Sequence, residues 1–198
     1  MKDLSTKINE LFEKEQWAQA RKLIQEEFRE SPGEHWLLDR LSVTYYEEKD
    51  YGKALVFAKK AYELAPDCPL VLWDLAGTYS ALGQTQDAIN TYAALIRMYP
   101  AKFRDDDCGE GAEWGSSLLL DCFFRIAVCF QKLGTDDLAK VFFEKYIQLR
   151  SVEGSPPSLY AIEDAQKRID KIQKKSSRSP DRILHEARLA TGILSGCK

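Results

Sequence analysis

Apolar residues recur at steps of three and four along nearly the whole chain, with charged residues between them. This spacing places the apolar side chains on one face and predicts a succession of amphipathic helices. Turn signals fall between the predicted helices: Gly83 and Gly134 suit the left-handed residue after a helix, and Asp50, Thr85 and Thr135 are predicted N-caps. The chain is therefore predicted to be all-α, with short helices joined by tight turns.

Two sets of residues recur at an interval of 34: Pro32, Pro66 and Pro100, and Ala20, Ala54 and Ala88. Registers of this length begin at residues 1, 35 and 69, and a fourth begins at Leu120 after 17 extra residues. Small residues at positions 8 and 20 of a register allow the two helices of a pair to approach closely. A fixed period of this kind indicates stacked repeats, because one unit cannot bury its own apolar faces.

This recurrence resembles the tetratricopeptide repeat (TPR), in which each unit is an antiparallel helix pair. The resemblance implies an all-α, right-handed solenoid of helix pairs closed by C-terminal capping helices. Polar Lys7 and Glu27 at usually apolar positions mark the first unit as the N-terminal cap. The predicted organisation is repeat 1 over 1–34, repeat 2 over 35–68, repeat 3 over 69–100, an inserted loop over 101–117, repeat 4 over 118–151, a capping helix over 155–175, and a linker with an amphipathic tail over 176–198.

The resemblance also implies that the first helix of each pair lines a concave groove. The residues predicted to line this groove are Trp36, Asp39, Val43, Tyr46, Trp73, Asp74, Asp121, Phe124, Arg125 and Val128, with Arg40 and Glu47 at further groove positions. Aromatic side chains carry much of the binding energy of desolvated protein interfaces. The pattern therefore predicts a peptide-binding groove. A competing interpretation is that the chain's own insert or tail fills it, since monomers rarely expose a large apolar patch.

The best-known ligand of the family is the acidic C-terminus of heat-shock chaperones, which is held by Lys, Asn and Arg. The matching positions here carry Asp39, Val43, Asp74, Asp121 and Arg125, and only one of them is basic. Acidic groups at these positions would repel a carboxylate, so this ligand class is excluded. Aromatic residues bordered by acids favour an apolar, partly basic peptide, and hence a non-enzymatic scaffold or chaperone-like adaptor.

Three local features leave alternatives open. Asp121 and Arg125, four residues apart, are expected either to pair with each other or to leave Arg125 as a ligand anchor. Phe103 and Trp114 are expected to hold the inserted loop against the groove. The apolar face from Ile183 to Leu194 in the tail predicts a second capping helix, a contact for homo-oligomers, or a segment that blocks the groove.

Composition narrows the partner and the compartment. The 198 residues contain 28 Lys and Arg against 31 Asp and Glu, for a net charge of -3, which argues against a nucleic-acid partner. No apolar run is long enough to span a bilayer, and the N-terminal residues lack the apolar stretch of a signal peptide, so no membrane partner is expected. Five cysteines without a pairing pattern indicate a reducing compartment, and we expect a cytoplasmic protein whose partner is another protein or peptide.

The sequence predicts no catalytic residues, cofactor or metal. The cysteines lack the close pairs that zinc ligation needs. Asp105 and Asp107 have the alternation of a calcium loop, but Gly109 and Ser116 stand where that loop needs ligands. Phosphate-binding, dinucleotide-binding and nucleophile-elbow motifs are also absent from the sequence.

Overall fold

The computed structural model describes residues 3–98, 111–173 and 180–192. Within these residues the fold is all-α, as predicted, with no strand. Its helices are α1 (Leu4–Glu13), α2 (Trp17–Glu30), α3 (His35–Glu47), α4 (Tyr51–Leu64), α5 (Pro69–Ala81), α6 (Thr85–Met98), α7 (Gly111–Lys132), α8 (Asp136–Arg150), α9 (Ile162–Gln173) and α10 (Pro180–Thr191).

The chain divides into two compact units, Met1–Gly83 and Gln84–Lys198, called here the N-terminal and the C-terminal unit. In the N-terminal unit each of the helices α1 to α4 packs on the next, and α3 also packs on α5. In the C-terminal unit α7 packs on α6 and α8, α9 packs on α8, and α10 packs on α8 and α6. The boundary between the units falls inside the predicted third repeat.

Small residues permit the close helix packing of both units. Ala54 of the N-terminal unit and Ala88 and Ala139 of the C-terminal unit occupy the same repeat position, and all three are fully buried. Ser42 is also buried, and its hydroxyl donates a hydrogen bond of 2.9 Å to the carbonyl oxygen of Ala54. Because a larger side chain would push paired helices apart, the recurrence of small residues has the structural role that the sequence predicts.

The repeat is also visible in the backbone. The fifteenth residue of each register has a positive φ: 54° at Glu15, 64° at Lys49, 76° at Gly83 and 72° at Gly134. This residue follows the first helix of each pair and turns the chain towards the second, which requires the left-handed conformation. Glycine is present at two of the four positions, so Glu15 and Lys49 adopt a conformation that costs a side-chain-bearing residue about 1–2 kcal/mol.

Among the three predicted N-caps, Asp50 forms the expected bond. Its carboxylate accepts a hydrogen bond of 3.2 Å from the backbone N–H of Lys53 at the start of α4. Thr85 is instead the first residue of α6. Thr135 precedes α8, but its hydroxyl donates to the carbonyl oxygen of Phe130 at 2.9 Å, so it satisfies the end of α7 rather than capping α8.

The predicted loop over 101–117 is wrong for its second half, because α7 already begins at Gly111. The loop was inferred from the 17 residues that exceed the 34-residue period; the glycines of this stretch do not prevent a helix, because a glycine inside a helix costs only about 1 kcal/mol relative to alanine. Trp114 and Leu118, four residues apart, lie on the same side of the helix and extend its apolar face. Residues 101–110 lie outside the described part of the chain.

The predicted tail forms α10, which packs on α8 and α6 of its own chain. Ile183 and Ala187 are buried, and Arg97 of α6 donates a hydrogen bond of 3.0 Å to the carbonyl oxygen of Thr191. Helices α6 and α8 are the second helices of their pairs. The described part of the tail is therefore arranged as a second capping helix, on the helices that do not line the predicted groove.

Candidate functional site on the first helices

The first candidate surface lies on α3 and α5 of the N-terminal unit, and we call it the N-terminal face. Its residues are Trp36, Asp39, Arg40, Val43, Tyr46, Trp73 and Asp74. The α3 members lie at steps of three and four and share one side of the helix. All of them are half-buried except Asp39, which is fully buried. The aromatic rings of this face therefore keep solvent-exposed surface within the folded chain.

Arg40 links the two helices of this face. Its Nη2 donates to Asp39 Oδ2 at 2.7 Å and to Asp74 Oδ2 of α5 at 3.2 Å. Its guanidinium carbon also lies 6.0 Å from the centroid of the Trp36 ring, at the outer limit of a cation–π contact. Tyr46 packs edge-to-face on Tyr51 of α4 with ring centroids 5.2 Å apart. Side chains of this face are thus held in place by partners on three helices.

The carboxyl groups of the N-terminal face have unusual electrostatics. Burial, and next the negative charge of Asp39, raise the pKa of Asp74 well above its usual value, although Arg40 acts in the opposite direction. A raised pKa of this kind marks a carboxyl group whose charge is poorly compensated. The groove positions are therefore less strongly acidic than the sequence indicated, because one cation and a tendency to retain a proton both reduce their charge.

The second candidate surface lies on α7 of the C-terminal unit, and we call it the C-terminal face. It contains Asp121, Phe124, Arg125 and Val128. Asp121 and Phe124 are only 1% and 4% exposed, whereas Arg125 and Val128 are half-buried. These two side chains are covered by the chain itself. Residues 155–160, called here the strap, lie between α8 and α9 and cross this face.

Polar groups of the strap satisfy Asp121. The hydroxyl of Ser158 donates to Asp121 Oδ1, and the backbone N–H of Leu159 donates to Oδ2 at 3.1 Å. Burial raises the pKa of Asp121, while these two hydrogen bonds oppose that rise. The hydroxyl of Tyr146 on α8 contacts the Ser158 hydroxyl at 2.7 Å and donates to the carbonyl oxygen of Tyr160. The carboxylate that was expected to pair with Arg125 or to face a ligand thus holds the strap.

The strap also covers the aromatic part of the C-terminal face. The ring of Tyr160 stacks on Phe124 with centroids 4.0 Å apart and planes 3° apart. The guanidinium carbon of Arg125 lies 5.4 Å from the centroid of the Tyr160 ring. Sequence reasoning missed Ser158 and Tyr160 as contacts of this face. Both residues fall in the capping helix predicted over 155–175, but this helix begins only at Ile162, and the residues before it cross α7.

One arginine holds the start of the strap, and a second arginine links α9 to α7. Arg150 of α8 donates to Ser155 Oγ at 3.0 Å and to the carbonyl oxygen of Pro156 at 2.7 Å. Arg168 of α9 donates to Gln131 Oε1 of α7 at 2.7 Å, and its guanidinium carbon lies 5.7 Å from the centroid of the Phe124 ring. The competing interpretation, in which the chain fills its own groove, therefore describes the C-terminal face. Among the described residues the covering segment is the strap, whereas the described part of the tail packs on α8 and α6.

Phe103 and Trp114 were predicted to hold the inserted loop against the groove, and this stays a prediction. Trp114 lies in the first turns of α7 and is half-buried, and Phe103 lies outside the described residues. Over residues 3–98, 111–173 and 180–192, no group of three His, Cys, Asp or Glu side chains is arranged to hold a metal ion. None of the helices in the same ranges is both long and apolar enough to cross a membrane.

Comparisons with known proteins agree with this architecture. One tetratricopeptide-repeat family model matches residues 45–104, and a second matches residues 121–150. These two segments of the chain, 45–104 and 121–150, are tetratricopeptide repeats. This repeat generally mediates the binding of protein partners, and its fold is typically a non-enzymatic scaffold. A comparison with curated proteins finds no match.

Several solved structures share the fold at low sequence identity. A tetratricopeptide repeat protein from Parabacteroides merdae has a TM-score of 0.64 and 16% identity. The match covers 94% of this chain but only 64% of the length of that protein. MamA from AMB-1 has a TM-score of 0.62 and 16% identity, covering 98% of this chain and 92% of its own. Nearly identical TPR-like repeats assigned to a Podospora anserina kinesin light chain have a TM-score of 0.64 and 12% identity, over 98% and 96% of the two chains. These likenesses establish the fold.

Proposed function

We propose that the protein is a non-enzymatic adaptor or chaperone-like scaffold that binds an apolar, partly basic peptide segment on its N-terminal face. One observation carries this proposal: Trp36, Val43, Tyr46 and Trp73 keep solvent-exposed surface on α3 and α5, whereas Phe124 of the C-terminal face is covered by Tyr160. Exposed aromatic and aliphatic groups lose contact with water when a peptide covers them, which favours binding.

The charges near this face support a ligand with basic residues. Asp74 is partly exposed, and Glu47, which follows Tyr46 on α3, is exposed. Both groups attract a cation on a segment lying across the rings, and such charges favour one class of partner and one orientation. The five cysteines show no pairing pattern in the sequence, which fits a reducing compartment, and we place this function in the cytoplasm.

A selected peptide provides the test. Segments isolated from a displayed random-peptide library on the wild-type protein would be titrated against a Trp36→Ala, Trp73→Ala double variant. The affinity of the double variant is expected to fall at least about tenfold, equivalent to about 1.4 kcal/mol, because most interface energy comes from a few aromatic anchors.

The matched control is a Val56→Ala, Leu64→Ala double variant. Val56 and Leu64 are exposed apolar residues of α4, a second helix, so their truncation is expected to leave the affinity unchanged. Circular dichroism and thermal melts would verify that both variants are folded. Equal affinities for the wild type and the Trp36→Ala, Trp73→Ala variant would contradict the proposal.

A further inference from the structure

Two carboxylates on the N-terminal face share a single cation at one atom. Arg40 Nη2 lies 2.7 Å from Asp39 Oδ2 and 3.2 Å from Asp74 Oδ2. The Asp39 side chain is 0% exposed, Arg40 is 14% exposed and Asp74 is 20% exposed. The cluster therefore lies mostly below the surface, and Asp74 is the carboxyl group that a ligand can reach.

The cluster lacks one positive charge. Arg40 is the one basic side chain of the described residues in ion-pair contact with Asp39 or Asp74. In addition, Asp39 Oδ1 is completely buried and accepts no hydrogen bond from any described residue. A buried carboxylate oxygen without a donor is costly, so the site favours either a retained proton or a second cation.

Neighbouring charges do not supply this cation. Cys68, at the start of α5, is the other titratable group near Asp74, and its effect raises the pKa of that carboxyl further. On α4, which packs against both helices, Lys53 pairs with Asp50 at 2.7 Å. Lys59 lies over the Tyr79 ring and Lys60 over the Phe57 ring. The excess of negative charge therefore lies on α3 and α5, on the face to which the peptide is assigned.

We propose that Asp74 is a cation subsite, at which a lysine or arginine side chain of the bound segment pairs with the carboxylate. Because the pKa of Asp74 is raised by burial and by Asp39, this pairing also displaces a proton whenever the carboxyl group holds one. This inference rests on the proposed function. The incoming cation turns one guanidinium and two carboxylates into two balanced pairs. The proton leaves Asp74 for solvent, and no covalent bond other than O–H is broken. Trp36 and Trp73 supply the apolar contacts beside this subsite.

A positional-scanning peptide library tests the subsite. One position would be fixed as Lys, Arg, norleucine, Gln or Glu, the others left random, and the pools bound to wild-type protein and to Asp74→Asn. For the wild type, Lys and Arg pools are expected to bind about tenfold more tightly than norleucine pools, a typical size for a partly buried charge pair. The preference is expected to be greater at about pH 8 than at about pH 6, because fewer protons compete for Asp74.

The Asp74→Asn variant is expected to bind norleucine pools as the wild type does and to lose both the basic preference and its dependence on pH. Glu63→Gln, which removes the same charge from an exposed site on α4, is the matched control and is expected to retain the preference. Calorimetry of the wild type in two buffers of different ionisation enthalpy would show net proton release with a Lys pool and none with a norleucine pool.

These measurements separate the two proposals. Equal binding of Lys, Gln and norleucine pools to the wild type overturns the cation subsite and leaves peptide binding intact. Proton release that is the same for Lys and norleucine pools also overturns it, and this result does not depend on the folding of any variant. Failure of every pool to bind overturns both the proposed function and the subsite.

Discussion

The N-terminal and C-terminal faces occupy equivalent positions of the repeat but differ in how their groups are satisfied. The fifth and sixth positions of the register hold Asp39 and Arg40 in α3, Trp73 and Asp74 in α5, and Phe124 and Arg125 in α7. On α7 the strap stacks Tyr160 on Phe124 and supplies two hydrogen-bond donors to the nearby Asp121. On α3 and α5 the rings remain half-buried, and two carboxylates share one guanidinium.

The difference shows that a repeat position does not by itself define a binding residue. A buried carboxylate is stable only when hydrogen-bond donors contact it, and burying an aromatic ring out of water is favourable. Both effects are the same whether the contacting groups belong to the same chain or to a ligand. For the C-terminal face the following segment of the same chain supplies both. On the N-terminal face the carboxylates have few donors and the rings keep exposed surface, and we therefore assign the peptide to that face.

The largest effect is expected from truncating the ring at the fifth position. Phe124→Ala removes a 4% exposed ring that contacts Tyr160, Phe143 and Tyr146, so the free energy of unfolding should fall by about 3–5 kcal/mol. Trp73→Ala removes a half-buried ring and should cost less, about 1–2 kcal/mol, since part of that surface is already in water. Urea denaturation followed by circular dichroism measures both, and equal losses would show that the two rings are equally buried in solution.

A smaller effect is expected at Asp121. Asp121→Ala leaves the backbone N–H of Leu159 and the hydroxyl of Ser158 without their acceptor, which should cost about 2–3 kcal/mol. Asp121→Asn keeps one oxygen to accept from Leu159 and an amide to donate to Ser158, so it should lose less than about 1 kcal/mol. Thermal melts of the two variants would test this order. A loss that is equal for Ala and Asn would show that hydrogen bonds to the strap do not stabilise the unit.

The pH dependence of stability should also distinguish the two faces. The pKa of Asp74 is raised in the folded state, so the stability linked to its proton is fully present near and below about pH 4 and is lost as the pH rises through the folded value. Asp74→Asn removes this loss, and we expect a rise in Tm on the order of 2–4 °C at neutral pH that disappears near about pH 4.

Asp121→Asn is the matched comparison. The pKa of Asp121 is also raised by burial, but the bonds from Ser158 and Leu159 oppose the rise, so the pH-dependent change should be smaller than at Asp74. Thermal melts from about pH 4 to about pH 8 measure both variants. A larger change at Asp121 than at Asp74 would reverse our assignment of the poorly compensated carboxyl group.

The smallest effect is expected at the fifteenth repeat position. Lys49→Gly in the N-terminal unit should raise the free energy of unfolding by about 1 kcal/mol, because glycine adopts the 64° φ of this residue without strain. Gly134→Lys in the C-terminal unit should lower it by about the same amount; no side chain or backbone atom lies within 4 Å of a Cβ there, so only the backbone conformation opposes it. Chemical denaturation would detect both, and changes of the same sign would contradict this account.

Much of the fold could be predicted from the sequence because the repeat constrains it locally. The apolar spacing predicted the helices, the small residues at positions 8 and 20 predicted the helix pairs, and Gly83 and Gly134 predicted the left-handed turns. The helical start of α7 was missed, because the 17 residues that exceed the 34-residue period were assigned to a loop. Thr135 is at the N-cap position of α8, as predicted, but its hydroxyl donates to the carbonyl oxygen of Phe130 at the end of α7 and does not cap α8.

The candidate site was less predictable. Phe124 and Trp73 occupy the same position of the register. Their local sequence does not show that Phe124 is covered whereas Trp73 is partly exposed. The difference depends on Ser158 and Tyr160, which lie 34 and 36 residues beyond Phe124 and meet α7 only through the path of the chain. Similarly, the sequence shows Asp39, Arg40 and Asp74 as three separate charges, and the structure joins them at one nitrogen atom.

The sequence by itself determined the helices, their pairing and the repeat of 34 residues, because these features depend on side-chain size, apolar period and backbone conformation within a few turns. Tertiary structure alone decided that the strap covers α7, that the tail packs on α8 and α6, and that one guanidinium serves two carboxylates. These contacts join residues far apart in the chain. Burial and hydrogen-bond partnership arise from the packed arrangement, and no single segment encodes them.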